Sequence, residues 1–146
     1  KLWMSDADHY TFGQHGDRIV AVPIRWQAVY EEAARKLSLL QAGVTVASLK
    51  GHAVIPDESL ALSAGLRADA FPRFDLTYGD AMSYLSRQPI VLSPSAPRGF
   101  VLVSFEQVPL GFVNNLGTRA NNLFPNEWKV RSQKWPASSP CILRRQ

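Results

Sequence analysis

The 146-residue sequence contains few of the features that mark membrane proteins or disulfide-stabilised domains. Its single cysteine, Cys141, excludes an internal disulfide and favours a reducing compartment such as the cytoplasm. No apolar run reaches the ~18 residues that a transmembrane helix needs, and no signal peptide is evident at the start. We therefore expect a cytoplasmic protein with no membrane partner. The first residue is Lys1 and not Met, which suggests a piece of a longer chain.

The signatures of catalysis are also missing. The sequence has no G-x-G-x-x-G loop and no phosphate-binding Gly-Lys-Ser/Thr motif. The histidines are scattered without a paired His or a second Cys at metal-ligand spacing, so no metal site is predicted. Cys141 lies in a Ser/Pro-rich tail without an evident activating neighbour, and Asp57 and Glu58 are typical of charges at a helix start. These absences predict no catalytic residues and indicate that the chain is not itself an enzyme.

Basic charge is concentrated near the C-terminus. Residues 119–146 contain six of the 16 Lys and Arg residues and one of the 12 acidic residues, whereas the whole chain has a net formal charge of only +4. Because clustered cations neutralise phosphates, this asymmetry favours a nucleic-acid-facing end. The alternative for residues 136–146 is a solvated, partly disordered tail.

The first half of the chain alternates between strand and helix patterns. Two pairs of β-prone runs, each separated by a Gly-containing turn, predict two hairpins: residues 8–12 with 18–22, and residues 44–49 with 52–55. Between the hairpins, apolar residues recur at helical spacing over residues 26–40. This spacing predicts a helix packed on a sheet through the stripe Trp26, Val29, Tyr30, Ala33, Leu37 and Leu40.

The second half begins after an aperiodic, Pro-containing stretch at residues 66–75. Thr77 and Asp80 match a capping box, which predicts a helix that buries Ala81, Met82 and Leu85 and has Tyr84 at its edge. Two apolar runs then predict a central antiparallel pair of strands, residues 100–105 and 108–113.

The stretch from residue 108 to residue 131 contains the candidate binding site. Its Asn- and Gly-rich part, residues 114–122, is typical of a shaped loop, because both residue types tolerate positive φ. The cations are suited to phosphates, and the amides are suited to base edges or sugar hydroxyls. The candidate RNA-binding residues are Arg119, Lys129, Arg131, Lys134, Asn114, Asn121 and Asn122. Alternatively, the asparagines bond to their own backbone, and Phe124 and Trp128 are core residues and not stacking platforms.

Four short patterns stand within residues 76–131: A-x-x-Y-L from Ala81, G-F-V-L-V from Gly99, P-L-G-F from Pro109 and G-x-R-x-x-N-x-F-P from Gly117. A weaker pattern, G-V-x-V-A-x-L-K followed by P-x-x-x-L-A-L, runs through residues 43–62. In combination they resemble the C-terminal region of the RsmF-type (Nol/Nop/Sun, or fmu) RNA cytosine-C5 methyltransferases. The sequence departs from that family at Asn114, where Lys is frequent, and at Thr118, where Asn is frequent. The first departure removes a phosphate contact.

The resemblance implies an α+β fold with a β-rich, PUA-like pseudo-barrel and short helices, preceded by a small α/β-hairpin module. It implies that residues 1–68 link a catalytic domain to a PUA-like RNA-binding domain at residues 69–133, with a basic tail at 134–146 that is a candidate for disorder. It also implies a parent enzyme that methylates ribosomal RNA cytosines with S-adenosylmethionine in a catalytic domain absent from this sequence. No cofactor is expected in this chain. The implied partners are ribosomal RNA and the methyltransferase domain, and no DNA.

Our hypothesis from the sequence is therefore an RNA-binding region that positions structured rRNA for methylation during ribosome biogenesis. The first alternative is an intramolecular module that braces the catalytic domain and has little RNA contact. The second alternative, a small enzyme with its site between the two modules, is disfavoured by the missing catalytic motifs.

Overall fold

The computed structural model describes residues 3–39, 41–132 and 134–139. The chain divides into two compact units, Lys1–Pro72 and Arg73–Gln146. Each unit contains a four-stranded sheet and short helices, which confirms the β-rich α+β class. The boundary after residue 68 stays a prediction. In the described ranges, no helix is long and apolar enough to cross a membrane.

The first unit is built on an antiparallel sheet of four strands in sequence order. These strands are β1 (Tyr10–His15), β2 (Arg18–Pro23), β3 (Val44–Lys50) and β4 (Ala53–Pro56). Both predicted hairpins are confirmed, but their turns lie further along the chain, at residues 16–17 and 51–52. Gly16 and Gly51 have φ of 62° and 58°, so the left-handed backbone conformation fixes each turn at these glycines.

Helix α1 (Gln27–Lys36) follows a short 3-10 helix at Ile24–Trp26 and ends before the predicted position. Leu37 is already extended, with φ of −129° and ψ of 150°. Leu40, the last member of the predicted stripe, lies outside the described residues.

The predicted burial of the α1 stripe is wrong for most of its length. Trp26, Val29 and Leu37 are 55%, 60% and 64% exposed, whereas Tyr30 and Ala33 are half-buried. Of the stripe, the part around Tyr30 faces the sheet, and polar groups hold the helix there. Thr11 on β1 donates a hydrogen bond to the Gln27 side chain, and Tyr30 Oη lies 3.2 Å from His15 Nε2. Trp26, Val29 and Leu37 are therefore turned towards solvent.

Helix α2 (Glu58–Ala61) is short and begins at Asp57. The Asp57 carboxylate accepts a hydrogen bond from the Ser59 backbone N–H at 3.0 Å, which caps the helix. Leu60 on this helix is fully buried, together with Ala21 on β2 and Ala47 on β3. These residues form the core of the first unit.

The second unit contains β5 (Arg73–Asp75), β6 (Gly99–Phe105), β7 (Val108–Asn115) and β8 (Ala120–Asn122), paired in that order. The predicted central pair, β6 and β7, is confirmed, and a turn at Glu106–Gln107 joins them. β5 is parallel to β6, and the other pairs are antiparallel. Among the described residues this sheet is open and does not close into a barrel.

Helix α3 (Tyr78–Leu85) packs on one face of this sheet. Its predicted cap is confirmed, because the Asp80 N–H donates to Thr77 Oγ1 at 3.2 Å. Tyr84, expected at the edge of the buried face, is fully buried instead, and its hydroxyl donates to the Phe112 carbonyl at 3.2 Å. That hydrogen bond is what allows a tyrosine to occupy the centre of the core. Around it lie Val101, Val103, Val113 and Phe124.

Candidate RNA-binding site

The Asn-rich stretch at residues 114–122 is a β-hairpin and not one long loop. Asn114 and Asn115 end β7, Asn121 and Asn122 end β8, and residues 116–119 connect the two strands. The Leu116 N–H donates to the Arg119 carbonyl at 2.9 Å and closes the connection. The interpretation as a loop was wrong because polar strand residues, which bond inside the fold, hide the apolar alternation of a strand.

Asn115 shapes the start of that connection. Its buried Nδ2 donates to the carbonyl oxygens of Ala96 and Pro97 at 3.3 and 2.9 Å, and its Oδ1 accepts from the Gly117 N–H at 3.0 Å. The amide therefore fixes the hairpin against the segment that leads into β6. No role in binding was predicted for it, and its contacts indicate a structural one.

Asn122, a predicted RNA contact, is used in a similar way. Its Nδ2 donates to the Tyr84 carbonyl at 2.8 Å, and its Oδ1 accepts from the Phe124 N–H at 2.9 Å. These contacts favour the alternative in which the amide serves the protein backbone. Its role as an RNA contact stays a prediction.

Asn114 and Asn121 lie directly opposite each other on β7 and β8. Successive strand residues point to opposite faces, so both lie on the face away from the one where Asn122 contacts α3. Asn121 is exposed and Asn114 is half-buried. The predicted asparagines therefore do not form one site.

Arg119 is exposed in the connection between β7 and β8, and the Arg98 guanidinium lies against Gly117 of the same connection. Gly117 has φ of +96°, and a Cβ added there would lie 3.0 Å from Arg98 Nη2. The glycine thus leaves room for the Arg98 guanidinium against the connection. Arg98 was missed by sequence reasoning because it follows a Pro-rich loop without any periodic pattern. We call Arg98 and Arg119 the hairpin cations.

Lys129 and Arg131 form a second basic group at the C-terminal end of α3. They follow a 3-10 helix at Asn126–Trp128 and lie in irregular chain. The Val130 N–H donates to the Leu85 carbonyl at 2.9 Å, which holds this segment against α3. Lys129 is half-buried and Arg131 is exposed.

A cleft of about 340 Å³ lies between the end of α3 and this segment. We call it the α3 cleft, and its lining includes Ser86, Gln88, Asn126, Lys129, Arg131 and Trp135. The Ser86 side chain is only 4% exposed, and its Oγ has no hydrogen-bond partner in the part of the chain that the structure describes. Such a buried hydroxyl costs about 1–3 kcal/mol unless a partner satisfies it.

Sequence reasoning found two of these lining residues, Lys129 and Arg131, and missed the others. Ser86 and Gln88 end a helix, and Trp135 lies in a segment interpreted as tail, so no local pattern connected them with Lys129. Charge alone pointed to the region. Lys134 is exposed beside the cleft-lining residues Ser132 and Trp135.

Three aromatic rings lead from the core towards the surface near the cleft. The ring centroids of Tyr84 and Phe124 are 5.4 Å apart, and those of Phe124 and Trp128 are 6.3 Å apart. Phe124 is 6% exposed and Trp128 is 47% exposed. Phe124 is therefore a core residue, whereas Trp128 presents half of its surface to solvent.

Four cations of the second unit are available to anions. Within the described ranges, no acidic side chain forms an ion pair with Arg98, Arg119, Lys129 or Arg131, whereas Lys36 pairs with Glu32 and Arg67 pairs with Asp69. No group of three or more His, Cys, Asp or Glu side chains among those residues could hold a metal ion. Cys141, Arg144 and Arg145 lie outside the described residues.

A β-rich unit with exposed cations that form no ion pair in its described part is typical of a binding module. A family model of the methyltransferase RsmF PUA domain matches residues 71–130, a range that spans β5 to the 3-10 helix after β8. Residues 71–130 are thus a PUA-like domain, a class of non-catalytic RNA-binding module. More narrowly, they match the PUA domain of RsmF-type methyltransferases, as the resemblance predicted. A comparison with curated proteins found no match.

Proposed function

We propose that this chain is the non-catalytic RNA-binding region of an rRNA (cytosine-C5) methyltransferase. In this proposal it positions structured rRNA for a separate catalytic domain that uses S-adenosylmethionine, in the cytoplasm and during ribosome biogenesis. The match of residues 71–130 to the RsmF PUA domain carries the proposal. The unpaired Lys129 and Arg131 at the α3 cleft support it, because phosphate contacts supply most of the affinity for structured RNA.

The hairpin cations add a second candidate contact for the RNA backbone. Strand β8 leads from Arg119 to Asn122, whose Nδ2 also lies 3.5 Å from the Gln88 carbonyl at the α3 cleft. With ~3.3 Å per residue, Arg119 and Asn122 are about 10 Å apart along the strand. Contacts at both ends of β8 would fix the orientation of an RNA helix without reading its sequence.

Titration of the chain with small-subunit rRNA fragments at several salt concentrations tests this proposal. The double variant Lys129→Ala plus Arg131→Ala should weaken binding and reduce the slope of log K against log[salt] by about 1.5, because about two phosphate contacts are lost. The double variant Arg98→Ala plus Arg119→Ala measures the contribution of the hairpin cations to affinity and salt slope in the same way. Arg35→Ala plus Lys50→Ala, two exposed positions of the first unit, lowers the net charge equally and should change neither quantity.

Two results would contradict the proposal. One is the absence of binding by the unmodified chain at low salt. The other is an equal loss of affinity in the control and in the α3-cleft variant, which would show that only net charge matters.

One observation favours a second function, in which the first unit braces the catalytic domain. Three large apolar side chains of the α1 region, Trp26, Val29 and Leu37, are exposed. Such a surface is suited to burial against another domain. We expect Trp26→Ser plus Val29→Ser to weaken calorimetric binding to a separately produced RsmF-type catalytic domain and to leave RNA affinity unchanged. Heat of binding that is unaffected by these substitutions would exclude this surface.

A further inference from the structure

The α3 cleft has features that are not needed for electrostatic contacts with the phosphate backbone of RNA. It lies between the end of α3 and the segment after the 3-10 helix, and its volume of about 340 Å³ lies at the small end of the usual range for ligand pockets, ~300–1,000 Å³. An RNA duplex contacted through its phosphates needs exposed cations and no such recess. The cleft is large enough for one small ligand.

Its lining brings together the three kinds of group that recognise a single unstacked nucleotide. Lys129 and Arg131 supply positive charge for a phosphate, and Trp135 is the aromatic residue of the lining. The amides of Gln88 and Asn126 present both donors and acceptors, as base edges require. Sequence-specific recognition of RNA depends on this combination of stacking, base-edge hydrogen bonds and phosphate contacts at unpaired bases.

Ser86 gives independent evidence that the cleft accommodates a polar ligand. Its side chain is 96% buried in a helix-terminal position, and its Oγ has no partner among the described residues although it belongs to the cleft lining. Buried hydroxyls in folded proteins are nearly always hydrogen-bonded. A small rotation of the Ser86 side chain would turn this hydroxyl towards the cleft, where a ligand with a polar edge would satisfy it.

We propose that the α3 cleft binds one unpaired nucleotide of an RNA chain, with its phosphate at Lys129 and Arg131 and its base beside Trp135. Ser86, Gln88 and Asn126 then bond to polar atoms of that nucleotide. This inference rests on the proposed RNA-binding function and deepens it, because the preferred substrate becomes structured RNA with a bulged or flipped-out base. Paired RNA binds only through its phosphates.

Two RNA hairpins with equal numbers of phosphates test the inference, one fully paired and one with a single bulged 2-aminopurine. The chain should bind the bulged hairpin about tenfold more tightly, within the range that one stacked base supplies. The fluorescence of 2-aminopurine should fall on binding, because stacking on an aromatic ring quenches it. Trp135→Ala should remove both effects and leave the affinity for the paired hairpin unchanged.

Ser86→Ala is a second variant that should fold normally, since it removes a buried hydroxyl without a partner among the described residues. We expect it to reduce the preference for the bulged hairpin several-fold. Trp26→Ala, a tryptophan of the first unit, is the matched control and should leave the preference and the fluorescence change intact.

Equal affinity for both hairpins, with no fluorescence change, would contradict the proposal that the α3 cleft binds an unpaired nucleotide. If Lys129→Ala plus Arg131→Ala still weakened binding to both RNAs, the proposed function would stand without it. If the chain bound neither hairpin at low salt, both the proposed function and the inference would fall.

Discussion

Asn122 Nδ2 lies 2.8 Å from the carbonyl oxygen of Tyr84, and this hydrogen bond ties edge strand β8 to the last turn of α3. The same side chain accepts from the N–H of Phe124, which is itself buried. One amide thus holds together the strand, the helix and the segment that leads to the α3 cleft.

Replacement of this amide should destabilise the second unit. In Asn122→Ala the Tyr84 carbonyl keeps the Arg87 N–H, but the Phe124 N–H loses its acceptor. We expect the free energy of unfolding to fall by about 1–3 kcal/mol, measured by urea denaturation. Asn121→Ala, at the neighbouring exposed position, should change it by less than about 0.5 kcal/mol. Similar effects of both substitutions would contradict a structural role specific to Asn122.

Gly43 and Gly51 offer a matched pair of substitutions in the first unit. Both have positive φ, 69° and 58°, so alanine at either position should cost about 1–2 kcal/mol of backbone strain. A Cβ at Gly43 would also lie 2.3 Å from the Ala21 carbonyl oxygen, whereas a Cβ at Gly51 would meet nothing within 4 Å. Thermal denaturation should therefore show a clearly larger loss for Gly43→Ala. Equal losses would show that the backbone near Gly43 moves away freely.

The exposed α1 stripe can be tested with a charge. Val29→Glu should change the free energy of unfolding of the isolated chain by less than about 0.5 kcal/mol, because Val29 is 60% exposed. Val46→Glu places the same charge at a position that is 5% exposed and should unfold the first unit. Circular dichroism during urea titration distinguishes the two. Strong destabilisation by Val29→Glu would mean that the helix packs through its apolar stripe after all.

Gly117→Ala should destabilise the hairpin connection and leave the charge of Arg98 in place. Alanine disfavours φ of +96°, and its methyl group displaces the flexible Arg98 guanidinium by only a few tenths of an ångström. We expect the free energy of unfolding to fall by about 1–2 kcal/mol in urea denaturation, with the affinity for rRNA fragments unchanged. Gly79→Ala in α3 is the control, because its Cβ meets nothing within 4 Å. That variant should bind normally and gain about 0.4–1 kcal/mol of stability.

The parts of the fold that the sequence predicted are those with strong local patterns. The cap at Thr77, the hairpins and the central pair of strands depend on neighbours along the chain, and all are confirmed. β5 and β8 were missed because three residues are too few to show alternation. The burial of the α1 stripe was predicted wrongly for most of its length. Periodicity shows that a helix has an apolar side, but not which of its residues contact the sheet.

The sequence predicted the basic residues of the candidate site but not the cleft that they line. Lys129 and Arg131 were found because a basic cluster is visible in the sequence. Ser86 and Trp135 were not, because tertiary packing at the end of α3 alone brings them to the same cleft. For Asn122 the sequence predicted an RNA contact. In the structure its amide already bonds to the protein backbone, at the Tyr84 carbonyl and the Phe124 N–H.

The three residues of β5 also decide where the chain can be shortened. They pair with Leu102, Val103 and Ser104 in the centre of β6, and Leu102 and Val103 are almost fully buried. Deletion of residues 1–75 would expose the main-chain donors and acceptors of this apolar strand, and an uncovered edge of that kind pairs readily with other chains. A fragment that begins at residue 71 should elute as a monomer in size-exclusion chromatography, whereas one that begins at residue 76 should aggregate.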